Sequence, residues 1–382
     1  MVHDFLLDLR GAERVFLAMC EIWPDAPIYT AVYDERGTEG RFAQREIHTS
    51  FLQRLHPTSR SFRMLLPLYP SAIESFDLSS YDLVVSSSSA WAHAVICGPD
   101  TVHVCYCHNP FRYVWNDRTL TLDACPEPIT RSMLRALFRR WRQWDWIAAQ
   151  RVDRYVCNSR ATQARVRSYF GREASVVHPP VETHRFKRGQ VGEYYMVLSE
   201  LMRHKRIDVA VRAFNQLRMP LVIVGDGPDA GRLRRLAGPN VRFVGRVDDE
   251  SVSRLLSGTR GLVVTASEEF GIAAVEAQAA GRPVIANRAG GLLENVVEGE
   301  TGHFWSGGPD ELAAAVLSFD DSAVDPAACL ANAERFDVSV FREELPREVD
   351  AAVAHSLEET RVERTLPRRT ALQRRGLARR LG

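Results

Sequence analysis

Two glutamates frame the predicted start of a short helix in the second half of the chain. Residues 261–265 form a short apolar run rich in β-branched side chains, which is typical of a strand buried on both faces of a parallel sheet. Glu268 follows this run, Gly271 lies where the chain enters the helix, and Glu276 lies about one turn further on. The unpaired N–H groups of a helix N-terminus attract a phosphate. Because an ionised carboxylate only accepts hydrogen bonds, the two glutamates indicate recognition of hydroxyl groups beside that phosphate.

This arrangement, with Phe270 and Gly271 between the glutamates, resembles the donor-site motif of the retaining GT-B glycosyltransferases of family 4. Further segments follow the family's order and extend the resemblance over residues 1–345. They are residues 2–5, 10–15, 81–87, 107–113, 157–160, 178–181 and 205–208. The resemblance implies an α/β fold of the GT-B type, in which two Rossmann-like, doubly wound domains face a cleft.

Short apolar runs, separated by helical or loop segments, form two series that agree with two such domains. The predicted strands are residues 28–32, 83–85, 102–106, 154–157 and 174–177, then 194–198, 221–225, 241–245, 261–265 and 283–286. We expect an N-terminal acceptor-side domain over residues 1–180 and a C-terminal nucleotide-sugar donor domain over residues 181–336. By resemblance, residues 337–360 form a helix that crosses back to the first domain.

The resemblance assigns roles around the predicted donor site. Glu276 corresponds to the carboxylate that accepts both ribose hydroxyl groups. Glu268 corresponds to the group that holds the transferred hexose, together with the backbone of Phe270, Gly271 and Ile272.

Arg246 and Val247 follow a predicted strand, at the position where the family packs the nucleotide base. Gly290 and Gly291 form either an ordinary strand-to-helix loop or a phosphate contact.

Lys205 corresponds to the family's phosphate-binding lysine, just before a predicted helix over residues 207–217. The family usually has an arginine five positions earlier, where this chain has Glu200. A glutamate beside a diphosphate would repel it by roughly a few kcal/mol at intermediate dielectric, unless its side chain faces away. We therefore expect Arg203 to supply the missing positive charge.

The first domain is expected to form the other wall of the cleft. Gly11 precedes an apolar-periodic helix, so its backbone can approach a phosphate. His108 ends a predicted strand and resembles the family's histidine at the reaction centre. Arg112 and Tyr113 either bind a phosphate of the acceptor or pack their own loop.

Retaining transferases of this kind show no obvious protein nucleophile, and the sequence offers none. By resemblance, the departing phosphate itself takes the acceptor's proton in a front-face substitution, so that catalysis rests on positioning and electrostatics. No Asp-x-Asp motif lies in a suitable strand-end context. We therefore expect no obligatory metal and no cofactor besides the nucleotide-diphosphate sugar that serves as co-substrate.

The composition excludes several classes of protein. The formal net charge of the 382 residues is +1, so no nucleic-acid partner is expected. Seven scattered cysteines indicate reduced thiols. No apolar stretch approaches the ~18 residues of a membrane span, and charged residues interrupt the N-terminus early. We expect a cytoplasmic enzyme, either free or peripheral at the inner face of the membrane.

Two charged segments carry alternatives of their own. Residues 131–146 are basic and aromatic at helical spacing, so this helix either contacts an anionic membrane or a lipid-linked acceptor, or packs on the first domain. Residues 361–382 form an arginine-rich tail that we expect to be disordered.

The chain enters the family pattern partway along its first strand, at Val2. Relatives usually begin with several apolar residues before that point, and a two-residue central strand leaves neighbouring backbone groups unpaired at about 1–3 kcal/mol each. We expect either a shortened but tolerated first strand or a start codon upstream of Met1.

The sequence therefore predicts a retaining glycosyltransferase that moves a hexose from a nucleotide-diphosphate sugar, GDP-mannose as the first choice, to a hydroxyl of a lipid-linked or polysaccharide-precursor acceptor. A transferase that uses a UDP-sugar on a small metabolite is the alternative within the enzymes. A donor-binding but inactive regulatory subunit is the alternative outside them, because Glu200 replaces the family's arginine.

Overall fold

The structure, a computed structural model, describes residues 1–59, 61–123, 125 and 127–365. Of the predicted basic tail, residues 366–382 lie outside this range. Within the described residues, no helix combines the length and the apolar character that crossing a membrane requires.

Seven parallel strands of the described residues form the first sheet, in the order β3-β2-β1-β4-β5-β6-β7. Their bounds are β1 Val2–His3, β2 Ile28–Thr30, β3 Ile47–Thr49, β4 Leu83–Ser88, β5 Val102–Cys107, β6 Arg154–Cys157 and β7 Ala174–Val176. Despite its two residues, β1 pairs on both sides, with Val2 opposite Tyr29 of β2 and Ser86 of β4.

Six parallel strands of the described residues form the second sheet, in the order β10-β9-β8-β11-β12-β13. Their bounds are β8 Tyr195–Leu198, β9 Leu221–Val224, β10 Val241–Gly245, β11 Leu262–Val264, β12 Val284–Asn287 and β13 Gly302–Trp305. In both sheets the strand order reverses direction beside the first strand, between β1 and β4 and between β8 and β11. Ligands of open α/β sheets bind outside the carboxyl ends of the strands at such a switch point.

Helices cover both faces of the two sheets. Those linked to the first sheet are α1 Gly11–Ile22, α2 Tyr69–Glu74, α3 Arg118–Asp123, α4 Pro128–Ala149 and α5 Arg160–Phe170. Those that follow are α6 Ile207–Leu217, α7 Ala230–Leu236, α8 Asp249–Gly258, α9 Ile272–Ala279, α10 Leu292–Asn295, α11 Pro309–Ser318, α12 Pro326–Glu334 and α13 Val338–Thr365. Short 3₁₀ helices span Phe51–Leu55, Phe62–Leu68, Ala92–Ala94, Thr183–Arg185 and Arg203–Lys205.

The last helix, α13, packs against the first domain. Its buried side chains Phe341, Leu345 and Val349 join the core around Phe16 and Met19 of α1. The chain therefore passes through the second domain and returns, which ties the two domains together at the side of the cleft.

Two strands that were not predicted, β3 and β13, each form one edge of a sheet. The edge strand β3 reads Ile-His-Thr, and its side chains are half-buried or exposed, so it lacks an apolar run. The edge strand β13 reads Gly-His-Phe-Trp, in which a glycine and a histidine hide the pattern. Edge strands are covered on fewer sides, so their sequences are less constrained than those of central strands.

Candidate functional site

The switch point of the second sheet brings Lys205 and Glu268 together. Lys205 lies on the loop after β8, and Glu268 lies on the loop after β11. The Lys205 Nζ donates to Glu268 Oε2 at 2.6 Å, and both side chains are less than one-fifth exposed. The Thr265 hydroxyl donates to the backbone oxygen of Lys205 at 2.6 Å and so fixes the lysine loop against β11. A predicted cation and a predicted acceptor thus form one ion pair at the place where a ligand is expected.

The loop that carries Glu268 is held by a close backbone contact. The Gly291 N–H donates to the Glu268 backbone oxygen at 2.9 Å. A Cβ on Gly290 would collide with that same oxygen, and one on Gly291 would collide with the backbone of Glu269 and Phe270. A side chain at either glycine would therefore not fit, because this loop packs directly on the backbone of residues 268–270.

The entry into α9 explains the Phe-Gly pair. Gly271 has a φ of 92°, which strains other residues, and a Cβ there would lie 2.7 Å from the Leu292 side chain. Phe270 is buried against Phe336, and its backbone oxygen accepts from the Asn295 amide at 2.6 Å. The Phe270 side chain therefore anchors the turn in the core.

The Glu276 side chain is half-buried and, among the described residues, its carboxylate has no direct hydrogen-bond or ion-pair partner. Burial raises the pKa of its carboxyl group, and the charge of Arg14 opposes that rise. Arg14 itself donates to both carboxylate oxygens of Asp249, at 3.0 and 2.7 Å. Since Asp249 also pairs with Arg185 at 2.8 Å, Glu276 is left as an acceptor near two cations that are already paired.

The structure places the remaining predicted donor residues in different surroundings. The side chain of Arg203 is exposed, and its charge lowers the pKa of Asp229, after the larger effect of Arg232 and against burial. Arg246, at the end of β10, lies 3.4 Å from Glu39 of the first domain, and the partly buried Val247 packs on the core of the second. Among the described residues, the Arg203 side chain therefore forms no hydrogen bond or ion pair with Lys205 or Glu268. The roles predicted for Arg203, Arg246 and Val247 stay predictions.

The first domain closes over this site through α1. A Cβ on Gly11 would lie 3.7 Å from the Ile272 side chain, so the N-terminal turns of α1 and α9 face each other across the cleft. Beside Gly11, the Arg10 guanidinium donates to Glu200 at 2.7 Å and to Asp8 at 2.7 Å. Neither Arg10 nor Arg14 was predicted as a site residue, because the contacts of Arg10 with Glu200 and of Arg14 with Asp249 join residues of different domains.

His108 belongs to a buried chain of hydrogen bonds at the carboxyl end of the first sheet. Its Nε2 lies 2.8 Å from the Ser87 hydroxyl, which lies 3.0 Å from Nδ1 of His3, whose Nε2 is 4.0 Å from Glu13. Burial and the nearby His3 lower the pKa of His108 to about 3. His108 is therefore neutral near pH 7, and because Ser87 engages Nε2, Nδ1 is the ring nitrogen left for a ligand.

We expect the protein to lose stability as the pH falls from 7 to 5. The pKa of both His103 and His108 drops from 6.5 in the unfolded chain to about 3 in the native protein, first because of burial. Because the unfolded state then binds more protons below pH 6.5, the free energy of unfolding should fall by on the order of 1–2 kcal/mol per histidine near pH 5. Denaturant unfolding measures this, with His103→Gln removing one contribution to the slope. A free energy of unfolding equal at pH 7 and pH 5 would rule it out.

Arg112 crosses the cleft. It donates to Glu269 of the second domain at 2.6 Å, and Arg165 lies 3.4 Å from the same oxygen. Burial opposes ionisation of Glu269, but Arg112, Lys205 and Arg165 outweigh it, so the pKa of Glu269 is lowered. The partly buried Tyr113 packs on the core of the first domain.

Among the described residues, no group of three or more His, Cys, Asp or Glu side chains is arranged to hold a metal ion. The cleft instead concentrates paired charges at the facing switch points of the two sheets. Such an arrangement can bind a polyanion by exchanging carboxylates for phosphate oxygens, and it can hold a sugar through Glu268 and Glu276.

Two family models match the two halves of the chain. The model described as "Glycosyltransferase Family 4" matches residues 9–185, and the model described as "Glycosyl transferases group 1" matches residues 193–320. Together they cover both walls of the cleft.

Curated relatives match part of the chain. A GDP-mannose-dependent alpha-(1-6)-phosphatidylinositol monomannoside mannosyltransferase of Mycolicibacterium smegmatis is 32% identical over 202 residues, which are 44% of this chain and 52% of that enzyme. D-inositol 3-phosphate glycosyltransferase 2 of Catenulispora acidiphila is 29% identical over 207 residues, 45% of this chain and 48% of that enzyme. The chain thus spans about half the length of the curated relatives it matches.

Among solved structures, HepE of Anabaena in complex with UDP-glucose superposes with a TM-score of 0.67 at 18% identity, over 92% of this chain and 100% of HepE. The sucrose-phosphate synthase of Thermosynechococcus elongatus superposes with a TM-score of 0.62 at 17% identity, over 96% and 99% of the two chains. At these identities the likeness shows the fold alone.

Proposed function

Since this chain belongs to glycosyltransferase family 4, we propose that it is a retaining glycosyltransferase that moves a hexosyl group from a nucleotide-diphosphate sugar to a hydroxyl. The observation that carries this proposal is the Lys205–Glu268 ion pair at the switch point of the second sheet, opposite the N-terminal turn of α1. A cation, a carboxylate and the backbone at the start of α9 converge where an anionic sugar donor would be held.

In the proposed reaction, the bond between the sugar's C1 and the phosphate oxygen breaks, and its electron pair leaves with the diphosphate. The acceptor's hydroxyl oxygen bonds to C1 on the same face, and its proton passes to the departing phosphate oxygen. Lys205 and the N-terminal dipole of α9 stabilise the charge that grows on the diphosphate. No protein nucleophile and no obligatory metal or cofactor take part in this scheme.

We propose the remaining donor contacts from the positions of these residues. Once Lys205 turns to the diphosphate, Glu268 is free to accept from the sugar's hydroxyl groups. Glu276 accepts from the ribose, and the base lies towards Arg246 and Val247. The neutral His108 presents Nδ1 to the reaction centre.

For the donor, GDP-mannose is the first choice, supported by the names of the mannosyltransferases of Mycolicibacterium smegmatis and Mycobacterium tuberculosis among the relatives. A UDP-sugar is the alternative, because HepE holds UDP-glucose in its solved structure. A donor-binding protein without transfer activity is the third candidate, which Glu200 beside the diphosphate site favours.

For the acceptor, we propose a hydroxyl compound with an anionic group, such as a lipid-linked or polysaccharide-precursor phosphodiester. Arg112 and Arg165 both contact Glu269, and Arg112 also lies 3.7 Å from Asp117, so an anion at this end of the cleft would find two guanidinium groups.

A lipid-linked acceptor would bring the enzyme to the inner face of the membrane, and helix α4 offers a surface for it. One face packs on the first domain through Phe138 and Trp141. The opposite face exposes Ile129, Met133 and Ile147 among arginines, the pattern of a helix that lies on an anionic surface.

A panel of donors tests the proposed function. GDP-mannose, UDP-glucose, GDP and UDP are compared by the rise in unfolding temperature, and transfer is assayed with acceptors in anionic vesicles. We expect GDP-mannose to give the largest shift and to be slowly hydrolysed without acceptor. Donor binding with neither transfer nor hydrolysis would identify the inactive subunit, and no shift with any nucleotide would refute the proposed function.

A further inference from the structure

The Arg10–Glu200 ion pair crosses the cleft between the two domains. Arg10 immediately precedes α1, and its Nη1 donates to Glu200 Oε1 at 2.7 Å while its Nη2 donates to Asp8 at 2.7 Å. The Arg10 backbone N–H also donates to Glu13 at 3.1 Å. One edge of the guanidinium is therefore held by its own domain, and the other edge reaches the facing domain.

In the second domain, backbone hydrogen bonds hold the loop that carries Glu200. It lies between Ser199 and Leu201, whose N–H groups donate to the backbone oxygens of Val224 at 3.1 Å and Asp226 at 3.0 Å. The same loop continues into Lys205. The ion pair thus lies on the rim of the site that contains Lys205 and Glu268, between the facing turns that start at Gly11 and Ile272.

The cations along this cleft each have a carboxylate partner. Lys205 pairs with Glu268, Arg10 with Glu200, and Arg112 with Glu269. A diphosphate that enters must replace carboxylates as the partner of some of these cations. Arg10 suits such an exchange, because a guanidinium has five N–H donors in a planar fork and can keep Asp8 on one edge while the other edge turns to a phosphate.

We propose that Arg10 is the second diphosphate-binding cation of this enzyme and that Glu200 is its counterion in the nucleotide-free state. The first domain thus delivers the positive charge that residue 200 does not supply, and Glu200 competes with the diphosphate for Arg10. The competition weakens binding of the donor and speeds release of the nucleoside diphosphate. This inference rests on the proposed function, since it concerns the same donor site.

Calorimetric titration of the full chain with GDP and with UDP tests the inference. Arg10→Gln should weaken diphosphate binding at least about tenfold, the usual loss for a charged hydrogen bond, and should leave binding of guanosine or uridine unchanged. Glu200→Gln should tighten diphosphate binding several-fold. Arg212→Gln, an exposed arginine on α6, is the matched control and should change nothing.

The two variants break the same ion pair, so a merely structural pair predicts that both shift the affinity in the same direction. Opposite shifts support the proposal, and shifts of equal sign overturn it. Weaker diphosphate binding by the Arg203→Gln variant, with unchanged binding by the Arg10→Gln variant, would also overturn the proposal and would identify Arg203 as the second cation. If the unaltered protein binds neither GDP nor UDP, the proposed function itself fails, an outcome distinct from normal binding by the Arg10→Gln variant.

Discussion

Replacing Lys205 with alanine should lower the turnover number at least about 100-fold, the usual cost of removing one preorganised charge from a transition state. The departing diphosphate gains negative charge as the bond to the sugar breaks, and Lys205 lies at the switch point that would receive it, 2.6 Å from Glu268. The variant should keep its fold, because Lys205 lies outside the strands of the second sheet. Steady-state kinetics of donor hydrolysis and of transfer measure the effect.

Lys187→Ala is the matched control, because Lys187 is exposed and is the other of the two lysines in the chain. Lys205→Arg should recover part of the activity, since it restores the charge with a different geometry. Turnover of Lys205→Ala within a few-fold of the unaltered enzyme would remove this residue from the site.

Replacing Glu276 with glutamine should weaken nucleoside diphosphate binding by roughly 1–3 kcal/mol, the cost of losing a charged hydrogen bond. Glu276 is half-buried without a direct partner among the described residues, so its carboxylate is available to the ribose. Burial also raises its pKa, so nucleotide affinity should fall on acidification through that raised value as the carboxylate becomes protonated. Calorimetry at several pH values measures both effects.

The control is Glu250→Gln, an exposed glutamate that pairs only weakly with Arg254 at 3.3 Å. It should bind the nucleotide like the unaltered protein at every pH. Equal affinity of the Glu276→Gln variant for the free nucleotide would place the ribose elsewhere.

The sequence predicted most of the fold because the central strands of a parallel sheet are apolar runs. Strands such as β6, β9 and β12 lie within about one residue of their predicted bounds. Helix α6 coincides with its predicted range. The edge strands β3 and β13 were not predicted, because polar residues interrupt their apolar pattern. Their positions are set by pairing with the neighbouring strands β2 and β12.

The candidate site was likewise predicted only in part. Lys205, Glu268 and the turn at Gly271 could be predicted because they lie in local motifs at strand ends. The partners Arg10 and Glu200 are separated by 190 positions, and their contact depends on how the two domains close. No local pattern encodes such a contact, whereas Arg203 is close to Lys205 in the sequence and was therefore predicted to supply the missing charge.

Lysine-specific acylation followed by mass spectrometry tests most directly whether Lys205 lies in the donor site. The chain has two lysines, so Lys187 serves as the internal reference within one sample. We predict that a saturating nucleoside diphosphate protects Lys205 from acylation and leaves Lys187 unchanged. Equal acylation of Lys205 with and without nucleotide, at concentrations where calorimetry shows binding, would contradict the account.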